Sequence, residues 1–163
     1  MRESVLRLTA ATADAMRAIG ARLGAALNAA DVREPFVLGL SGDLGAGKTT
    51  LVGGLLGALG HEGPVRSPTY SLIEPYRLAR RDLYHCDLYR LRDPAELDDL
   101  GLRDLLVGTA VLLVEWPERA GGRLPEPDLA LFLEYDADGR VLMLAPASAA
   151  GRRVAAGLRL DPA

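Results

Sequence analysis

GLSGDLGAGKTTLVGG, residues 39–54, is the most informative segment of this 163-residue chain about its fold. Residues 42–49 match the pattern G-x-x-x-x-G-K-[ST], in which glycines let successive backbone N–H groups point inward around an anion. The apolar run 35–40 predicts a buried strand before this loop, and 48–60 predicts a helix after it. The positive N-terminal end of such a helix faces the same anion. A glycine-rich turn that matches by accident would lack this order of elements, so the stretch predicts a nucleoside triphosphate site.

The lysine of this loop supports the prediction. Lys48 is the only lysine in the chain, and all 18 other basic residues are arginine. A compact ammonium on a flexible stem fits a narrow phosphate nest better than a planar guanidinium does. We expect Lys48 to contact the β- and γ-phosphates, the Thr49 hydroxyl to ligate Mg²⁺, and Thr50 to contact the α-phosphate. The predicted nucleotide-binding residues of the loop are Gly42, Asp43, Leu44, Gly45, Ala46, Gly47, Lys48, Thr49 and Thr50.

Two acidic residues are candidates for the carboxylates of the site. Glu115 closes the apolar strand predicted over 109–116, and Asp87 lies in the strand predicted over 82–91, on the same face as His85. A carboxylate at such a position orients the attacking water or holds Mg²⁺ indirectly. The predicted catalytic residues are Lys48, Asp87 and Glu115, and the predicted metal residues are Thr49, Asp87 and Glu115. The patterns leave open which carboxylate acts as the base and whether His85 is functional or structural.

Three further residues are placed by the same reasoning. In the tripeptide SPT, residues 67–69, Thr69 directly follows a rigid proline, as a threonine does in nucleotide switches that sense the γ-phosphate and Mg²⁺. Trp116 directly follows Glu115 and would form a wall of the site. Cys86 faces away from His85 and is expected in the core.

The remaining patterns predict an α/β fold. The other predicted elements are a helix over 12–29, a strand over 67–76, one or two short helices over 93–106, a β-hairpin over 129–145 around Asp138-Gly139, and a short helix with a frayed end over 147–160. Together they predict one P-loop NTPase domain over 1–163, with a mixed, partly parallel sheet flanked by helices and a C-terminal β-hairpin. Residues 147–163 are expected to form a loosely packed tail. The glycines of 48–60 weaken that helix and are expected to permit close packing on the sheet.

Composition excludes several classes of protein. The chain is 49% hydrophobic and 25% charged, which is typical of a globular domain, and its net charge of −3 argues against a stand-alone nucleic-acid binder. A single cysteine rules out an intramolecular disulfide and fits a reducing compartment. The charged N-terminus and the absence of an apolar run of about 20 residues predict neither a signal peptide nor a membrane span. The expected location is cytoplasmic.

Taken together, the motifs GDLGAGKTT, SPTYSL, HCDLYRL, LGLRDLL and VLLVEWPER, in this order and spacing, closely resemble the TsaE (YjeE) family. The resemblance covers roughly residues 12–120, whereas the C-terminal hairpin and tail match only in pattern. It implies a compact α/β P-loop ATPase that is weakly active alone. It also implies ATP and Mg²⁺ as cofactors, and TsaB and TsaD as partners in a complex through which tRNA is engaged indirectly. ATP hydrolysis would sustain repeated transfer of threonylcarbamoyl to the adenosine beside the tRNA anticodon.

The resemblance also assigns roles to individual residues. It makes Lys48 and Thr49 the phosphate and Mg²⁺ residues, Glu115 the metal-associated acid and Asp87 a second essential carboxylate. Thr69 falls in the switch-like segment. Thr12, at the start of the first helix, is similar to a residue near the adenine.

Other nucleotide-binding classes fit the sequence less well. Guanine selection by an Asn-Lys-x-Asp loop would need a second lysine, and no LSGGQ-type signature of a transporter ATPase is present. The cluster of Arg77, Arg80 and Arg81 predicts a solvated turn between strands. In a small-molecule kinase the same cluster would act as a lid over the phosphates. A non-hydrolysing adaptor that binds ATP only to change the assembly of its partners is the third alternative.

Overall fold

A mixed β-sheet forms the frame of the protein. The computed structural model describes residues 5–68 and 71–159, and within them the sheet has seven strands in the order β1-β7-β6-β2-β5-β4-β3. In chain order these are β1 (Leu6–Ala10), β2 (Phe36–Gly42), β3 (Ile73–Arg77), β4 (Asp82–Asp87), β5 (Val111–Glu115), β6 (Leu129–Asp136) and β7 (Gly139–Pro146). The central strand β2 runs parallel to β5 and β6, and β4 runs parallel to β5. The β1–β7, β6–β7 and β3–β4 pairs are antiparallel. The mixed α/β sheet with its C-terminal hairpin is therefore confirmed.

Helices cover the two faces of the sheet unequally. On one face lie α1 (Ala13–Ala29), α2 (Lys48–Ala58) and α4 (Ala149–Arg159), which share an aliphatic core with β2 and β6. The other face is covered by 3₁₀ turns at Pro94–Leu100 and Pro117–Ala120 and by the short helix α3 (Leu102–Leu105), over β4 and β5. Among the helices of the described residues, none has the length and apolar character that crossing a bilayer requires.

Glycine lets α1 and α2 approach each other closely. A Cβ at Gly54 of α2 would lie 2.0 Å from the Arg17 carbonyl oxygen, and a Cβ at Gly20 of α1 would lie 2.0 Å from the Leu51 carbonyl oxygen. Both distances are far inside van der Waals contact, and the obstructing atoms are backbone. The close packing expected from the glycines of α2 is therefore made at Gly54 and is made against α1, not against the sheet. A Cβ at Gly57 would have no atom of another described segment within 4 Å.

We expect Gly54→Ala to lower the free energy of unfolding by about 1–3 kcal/mol, because the added methyl group forces the two helices apart. Gly57→Ala on the same helix is the matched control, and it should raise the free energy of unfolding by about 0.5–1 kcal/mol through helix propensity alone. Urea unfolding of both variants measures the difference. Equal effects of the two substitutions would contradict the contact.

Several elements differ from the sequence-based predictions. The N-terminal strand β1 was not predicted, because it is defined by pairing with β7 at the far end of the chain. The strand expected over 82–91 ends at Asp87, where the Asp87 carboxylate accepts a hydrogen bond from the Tyr89 N–H at 3.0 Å and turns the chain. The segment 93–106 agrees with the expected one or two short helices: it begins at Asp93 with a capping box, as its Asp-Pro start indicated, and Gly101, with φ of 62°, divides it into a 3₁₀ turn and α3.

The C-terminal segment forms a packed helix within the described residues. We expected a loosely packed tail from 147, yet α4 spans Ala149–Arg159 and buries Val154, Ala155 and Leu158 against the core that it shares with α1. A Cβ at Gly151 of α4 would lie 1.8 Å from the Asp128 carbonyl oxygen, so the start of the helix is also tightly seated. Residues 160–163 lie outside the described part of the chain.

Candidate functional site

Parallel strand ends bring the predicted site residues to one edge of the sheet. Gly42 ends β2, Asp87 ends β4 and Glu115 ends β5, and in the sheet register Glu115 is paired with both Leu40 and Asp87. The glycine-rich loop connects β2 directly to the N-terminus of α2 at this edge. In open α/β sheets, ligands bind in the crevice outside the carboxyl ends of the strands. A cavity at this position is lined by residues 44–50 together with Ser67, Asp87, Glu115 and Trp116.

The loop adopts the backbone conformation that its glycines permit. Gly45 has φ of 76° and Gly47 has φ of 104°, both in the left-handed region that side chains disfavour. Gly47 is also the N-cap of α2, so the free N–H groups of the first turn open toward the cavity. The curled loop and the helix terminus together have the backbone geometry of an anion-binding concavity.

Lys48 is folded back onto its own loop. Lys48 is the first residue of α2 and is only 7% exposed. The ammonium donates to the Asp43 carbonyl oxygen at 3.0 Å and to the Gly42 carbonyl oxygen, and it lies 4.3 Å from the centroid of the Trp116 ring. Burial lowers the pKa of Lys48, and the negative charges of Glu115 and Asp87 oppose that shift. The ammonium therefore rests on uncharged partners, two backbone carbonyl oxygens and an aromatic ring.

Glu115 is the centre of a buried hydrogen-bond network. It is 1% exposed, and its Oε2 accepts from Ser67 Oγ at 3.2 Å and lies 3.0 Å from His85 Nε2. The Thr49 hydroxyl lies 2.6 Å from Ser67 Oγ and donates to Glu115 Oε1 at 3.4 Å. Burial alone would raise the pKa of Glu115, but the hydrogen bonds from His85 and Ser67 and the charge of Lys48 hold it below its usual value.

Asp87 lies beside Glu115 in a different environment. Burial raises the pKa of Asp87, and the nearby Glu115 charge raises it further, against the lowering effect of the Tyr89 N–H. The two carboxylates thus have pKa values that are shifted in opposite directions. In such a pair, the carboxylate with the lowered pKa stays ionised, and the carboxylate with the raised pKa can exchange a proton.

The oxygen atoms at this edge fit Mg²⁺. The described residues contain no cluster of three or more His, Cys, Asp and Glu side chains placed to hold a metal ion. Mg²⁺ does not require one, since it is usually held by one or two carboxylates together with substrate phosphates. The Thr49 hydroxyl, the Ser67 hydroxyl and the Glu115 carboxylate are oxygen donors gathered at one point, which is the donor set that this ion prefers.

His85 and Trp116 flank the carboxylates. His85 is fully buried and its Nε2 faces Glu115, while no described residue hydrogen-bonds its Nδ1. Trp116 takes a left-handed conformation with φ of 59°, rare for a large side chain, and its ring packs on Tyr89 at 5.1 Å between centroids. Backbone strain of this kind is typical of functional sites. Cys86 is buried in the opposite face of the sheet, as expected.

A second cavity opens on the other side of the loop. It is lined by Thr12 and Met16 from the start of α1, by Gly47 and Thr50, and by Arg140 of β7. Residues 45–47 and Thr50 line both cavities, so the second cavity adjoins the first across the loop. Thr12 lines this cavity, and its hydroxyl serves as the N-cap of α1, accepting from the Ala15 N–H at 3.0 Å.

Three site residues were missed from the sequence. Ser67 is the first residue of the SPT tripeptide, in which Thr69 was predicted; Thr69 itself lies outside the described residues. Tyr135 and Arg140 belong to the β6–β7 hairpin and reach the loop from the C-terminal part of the chain. A signal for Ser67 was present, because a second hydroxyl in a predicted switch is a candidate ligand. No local signal could have assigned the hairpin residues.

The arginine cluster lies away from this site. Arg77 ends β3 and Arg81 directly precedes β4, so both are at the opposite end of the strands from Asp87. Arg77 pairs with Asp82 at 2.5 Å, in the exposed manner expected of a solvated turn. Arg81 does not fit that expectation, since it is 8% exposed and burial lowers the pKa of its guanidinium.

Comparisons with known proteins agree with the fold and the loop. The family model described as threonylcarbamoyl adenosine biosynthesis protein TsaE matches residues 10–142. The tRNA threonylcarbamoyladenosine biosynthesis protein TsaE of Haemophilus influenzae is 46% identical over 115 residues, which cover 71% of this chain and 73% of the relative. The Bacillus subtilis protein of the same name is 41% identical over 114 residues, covering 70% of this chain and 71% of the relative.

A solved structure extends this similarity to the whole fold. The crystal structure of Bacillus subtilis YdiB aligns with a TM-score of 0.78 at 27% identity, covering 96% of this chain and 95% of that one. The family match includes the loop, both carboxylates and most of the hairpin. The chain therefore belongs to the TsaE family.

Proposed function

We propose that this chain is the ATPase subunit of the machinery that adds threonylcarbamoyl to the adenosine next to the tRNA anticodon. The observation that carries the proposal is the convergence of Lys48, Thr49, Asp87 and Glu115 on one cavity beside the glycine-rich loop. Membership of the TsaE family supports the pathway, since the relatives are named for tRNA threonylcarbamoyladenosine biosynthesis. Such a protein would act in the cytoplasm.

The loop would bind the triphosphate of ATP. Lys48 would leave the carbonyl oxygens of Gly42 and Asp43 and donate to the β- and γ-phosphates, while backbone N–H groups of the loop and of the first turn of α2 surround them. Thr49, with Ser67 and Glu115 beside it, would hold Mg²⁺. The bound ion would neutralise charge on the phosphates as the terminal bond breaks.

The two carboxylates would take different roles. Glu115 is hydrogen-bonded to Thr49 and held ionised, which suits a carboxylate that orients the metal's ligands. Asp87 lines the same cavity without a hydrogen bond to Thr49, and its raised pKa suits a group that positions the attacking water and accepts its proton. His85, buried against Glu115, would keep that carboxylate in place.

The second cavity would receive the nucleoside. Its lining combines small side chains at 10–13 with Met16, which suits the apolar face of a base. Guanine selection uses an acceptor for the N1 and N2 hydrogens, and no Asp, Glu, Asn or Gln side chain is among the described residues that line this cavity. The lining of the cavity therefore favours ATP over a guanine nucleotide as the ligand, with Thr12 close to the base.

The position of the arginine cluster disfavours the kinase alternative. A lid must close over the phosphates, but the turn that carries Arg77 and Arg81 is at the opposite end of the sheet from the loop. Hydrolysis by water fits the site better, because two carboxylates flank the loop within one cavity. The adaptor alternative and hydrolysis predict different effects of Glu115→Gln on repeated tRNA modification.

The proposal is tested by measuring phosphate release from Mg-ATP by the purified protein, alone and with TsaB and TsaD. We expect slow release alone, faster release with both partners, and repeated rounds of tRNA modification only when this protein and ATP are present. Lys48→Ala serves as the inactive control. Transfer of the γ-phosphate to a metabolite, with no response to TsaB and TsaD, would overturn the proposal.

A further inference from the structure

The turn end of the β6–β7 hairpin is attached to the glycine-rich loop by two side chains. Tyr135 and Arg140 face each other as cross-strand partners beside the turn. The Arg140 guanidinium lies 4.1 Å from the centroid of the Tyr135 ring, so the two side chains form one stacked pair. Neither residue belongs to a nucleotide-binding motif, and Tyr135 is 53% exposed.

Each member of the pair donates to a different carbonyl of the loop. The Tyr135 hydroxyl donates to the Leu44 carbonyl oxygen at 2.6 Å, and Arg140 Nη2 donates to the Gly45 carbonyl oxygen at 3.2 Å. The contact is close, since a Cβ at Gly45 would lie 2.8 Å from the Tyr135 hydroxyl oxygen. The loop therefore has two consecutive peptide groups fixed from outside by the hairpin.

Fixing these carbonyls also fixes the N–H groups of the same peptides. In a planar trans peptide the C=O and N–H groups point in opposite directions. With the Leu44 carbonyl bound to Tyr135, the Gly45 N–H is directed to the other side of the chain. With the Gly45 carbonyl bound to Arg140, the Ala46 N–H is directed likewise, and its hydrogen bond to the Asp43 carbonyl oxygen at 3.1 Å closes a turn within the loop. Of these two peptides, the Gly45 N–H is the group left for an anion among the described residues, and an anion nest depends on the inward orientation of such N–H groups.

We infer that Tyr135 and Arg140 are positioning residues of the phosphate loop, which hold its peptide groups in the orientation that accepts phosphate before any nucleotide arrives. This inference rests on the proposed nucleotide binding and extends it to a part of the chain outside the P-loop motifs. A preshaped loop does not have to be ordered by its ligand, so the pair contributes to phosphate affinity without a covalent or catalytic step.

Strand pairing and backbone packing hold the hairpin in place independently of Tyr135 and Arg140, which disfavours a purely structural role for the pair. The β6–β7 ladder is continuous from Leu129 with Pro146 to Asp136 with Gly139, and β7 also pairs with β1 from Arg140 to Leu144. At the turn end, Gly139 packs against backbone at Ala10, where a Cβ would lie 2.3 Å from the carbonyl oxygen. Loss of the two loop contacts should therefore leave the hairpin and the fold intact and should change the loop alone.

The test measures the affinity of the full-length protein for Mg-ATP and for inorganic tripolyphosphate by calorimetry. Tripolyphosphate lacks the nucleoside, so it reports on the loop and not on the second cavity. We expect Tyr135→Phe, which removes only the hydroxyl, to weaken both ligands by about fivefold, as for one net hydrogen bond. Arg140→Gln should also weaken both ligands, and Arg140→Lys, which can still donate to Gly45, should recover part of the loss. The unfolding temperatures of these variants should match the wild type.

Controls separate this inference from the proposed function. Glu134→Gln, an exposed neighbour of Tyr135 on β6, should bind both ligands as the wild type does. If Lys48→Ala abolishes binding while Tyr135→Phe and Arg140→Gln bind normally, the positioning role is wrong and the phosphate site stands. If the variants lose affinity for ATP and not for tripolyphosphate, the pair contacts the nucleoside and the positioning role is again wrong. If the wild type binds neither ligand, the proposed function itself fails, and the inference fails with it.

Discussion

Replacing Lys48 by alanine is expected to weaken ATP binding by about 100-fold or more, since it removes charge-assisted hydrogen bonds to two phosphates. The ammonium rests on the carbonyl oxygens of Gly42 and Asp43, within the glycine-rich loop. No arginine lines the cavity in the part of the chain that the structure describes. Calorimetric titration with Mg-ATP measures the loss.

Two further substitutions show whether positive charge alone accounts for the effect of Lys48. Lys48→Arg keeps the positive charge but substitutes a planar group, which we expect to bind ATP more weakly than lysine does, because the nest between the loop and Trp116 is narrow. Arg123→Ala removes one positive charge at Asp98, outside the cavity lining, and should leave affinity unchanged. ATP affinity equal to wild type in Lys48→Ala would remove the phosphate-loop assignment.

The parts of the site that local sequence predicts are those built from strand ends and the loop. The pattern around Lys48 specifies a loop and a helix start by residue type alone. Glu115 was predictable because a β-branched apolar run ends in an acid, and parallel neighbours bring such ends to one edge. Asp87 was predictable because it lies two residues after His85 and so on the same face of the strand, and the sheet register places it beside Glu115. For these residues, short-range pattern and strand direction are sufficient.

The remaining parts depend on contacts between distant segments. Gly54 and Gly57 are alike in sequence, yet only Gly54 faces α1, and the side on which α1 packs is not encoded near either glycine. The strand β1 exists through its pairing with β7. Tyr135 contacts Leu44 across 91 positions of the chain, which no periodicity or spacing rule relates. Such pairings are decided by the tertiary fold, so they become visible only in the structure.

Glu115→Gln is expected to retain ATP binding and to lower the rate of ATP hydrolysis by about 100-fold or more, as expected for loss of a carboxylate that orients the reacting groups. The glutamine keeps the shape of the side chain and can still accept from Ser67, but it loses the charge beside Thr49. Phosphate release under saturating ATP, together with a reconstituted tRNA modification assay, measures both steps. If ATP hydrolysis sustains turnover, this variant should lose repeated tRNA modification. If ATP binding only changes the assembly of the partners, the variant should support full modification.

Comparison with Asp87→Asn then separates the roles of the two carboxylates. If Glu115 acts on the metal side, Glu115→Gln should raise the Mg²⁺ concentration needed for tight ATP binding, because its carboxylate lies within hydrogen-bond distance of the Thr49 hydroxyl. Asp87→Asn should leave that Mg²⁺ requirement unchanged and lower hydrolysis alone, because Asp87 lines the cavity while the Thr49 hydroxyl is hydrogen-bonded to Ser67 and Glu115. ATP titrations over a range of Mg²⁺ concentrations distinguish the two variants. The opposite pattern, with the Mg²⁺ requirement raised by Asp87→Asn and not by Glu115→Gln, would exchange the two assignments.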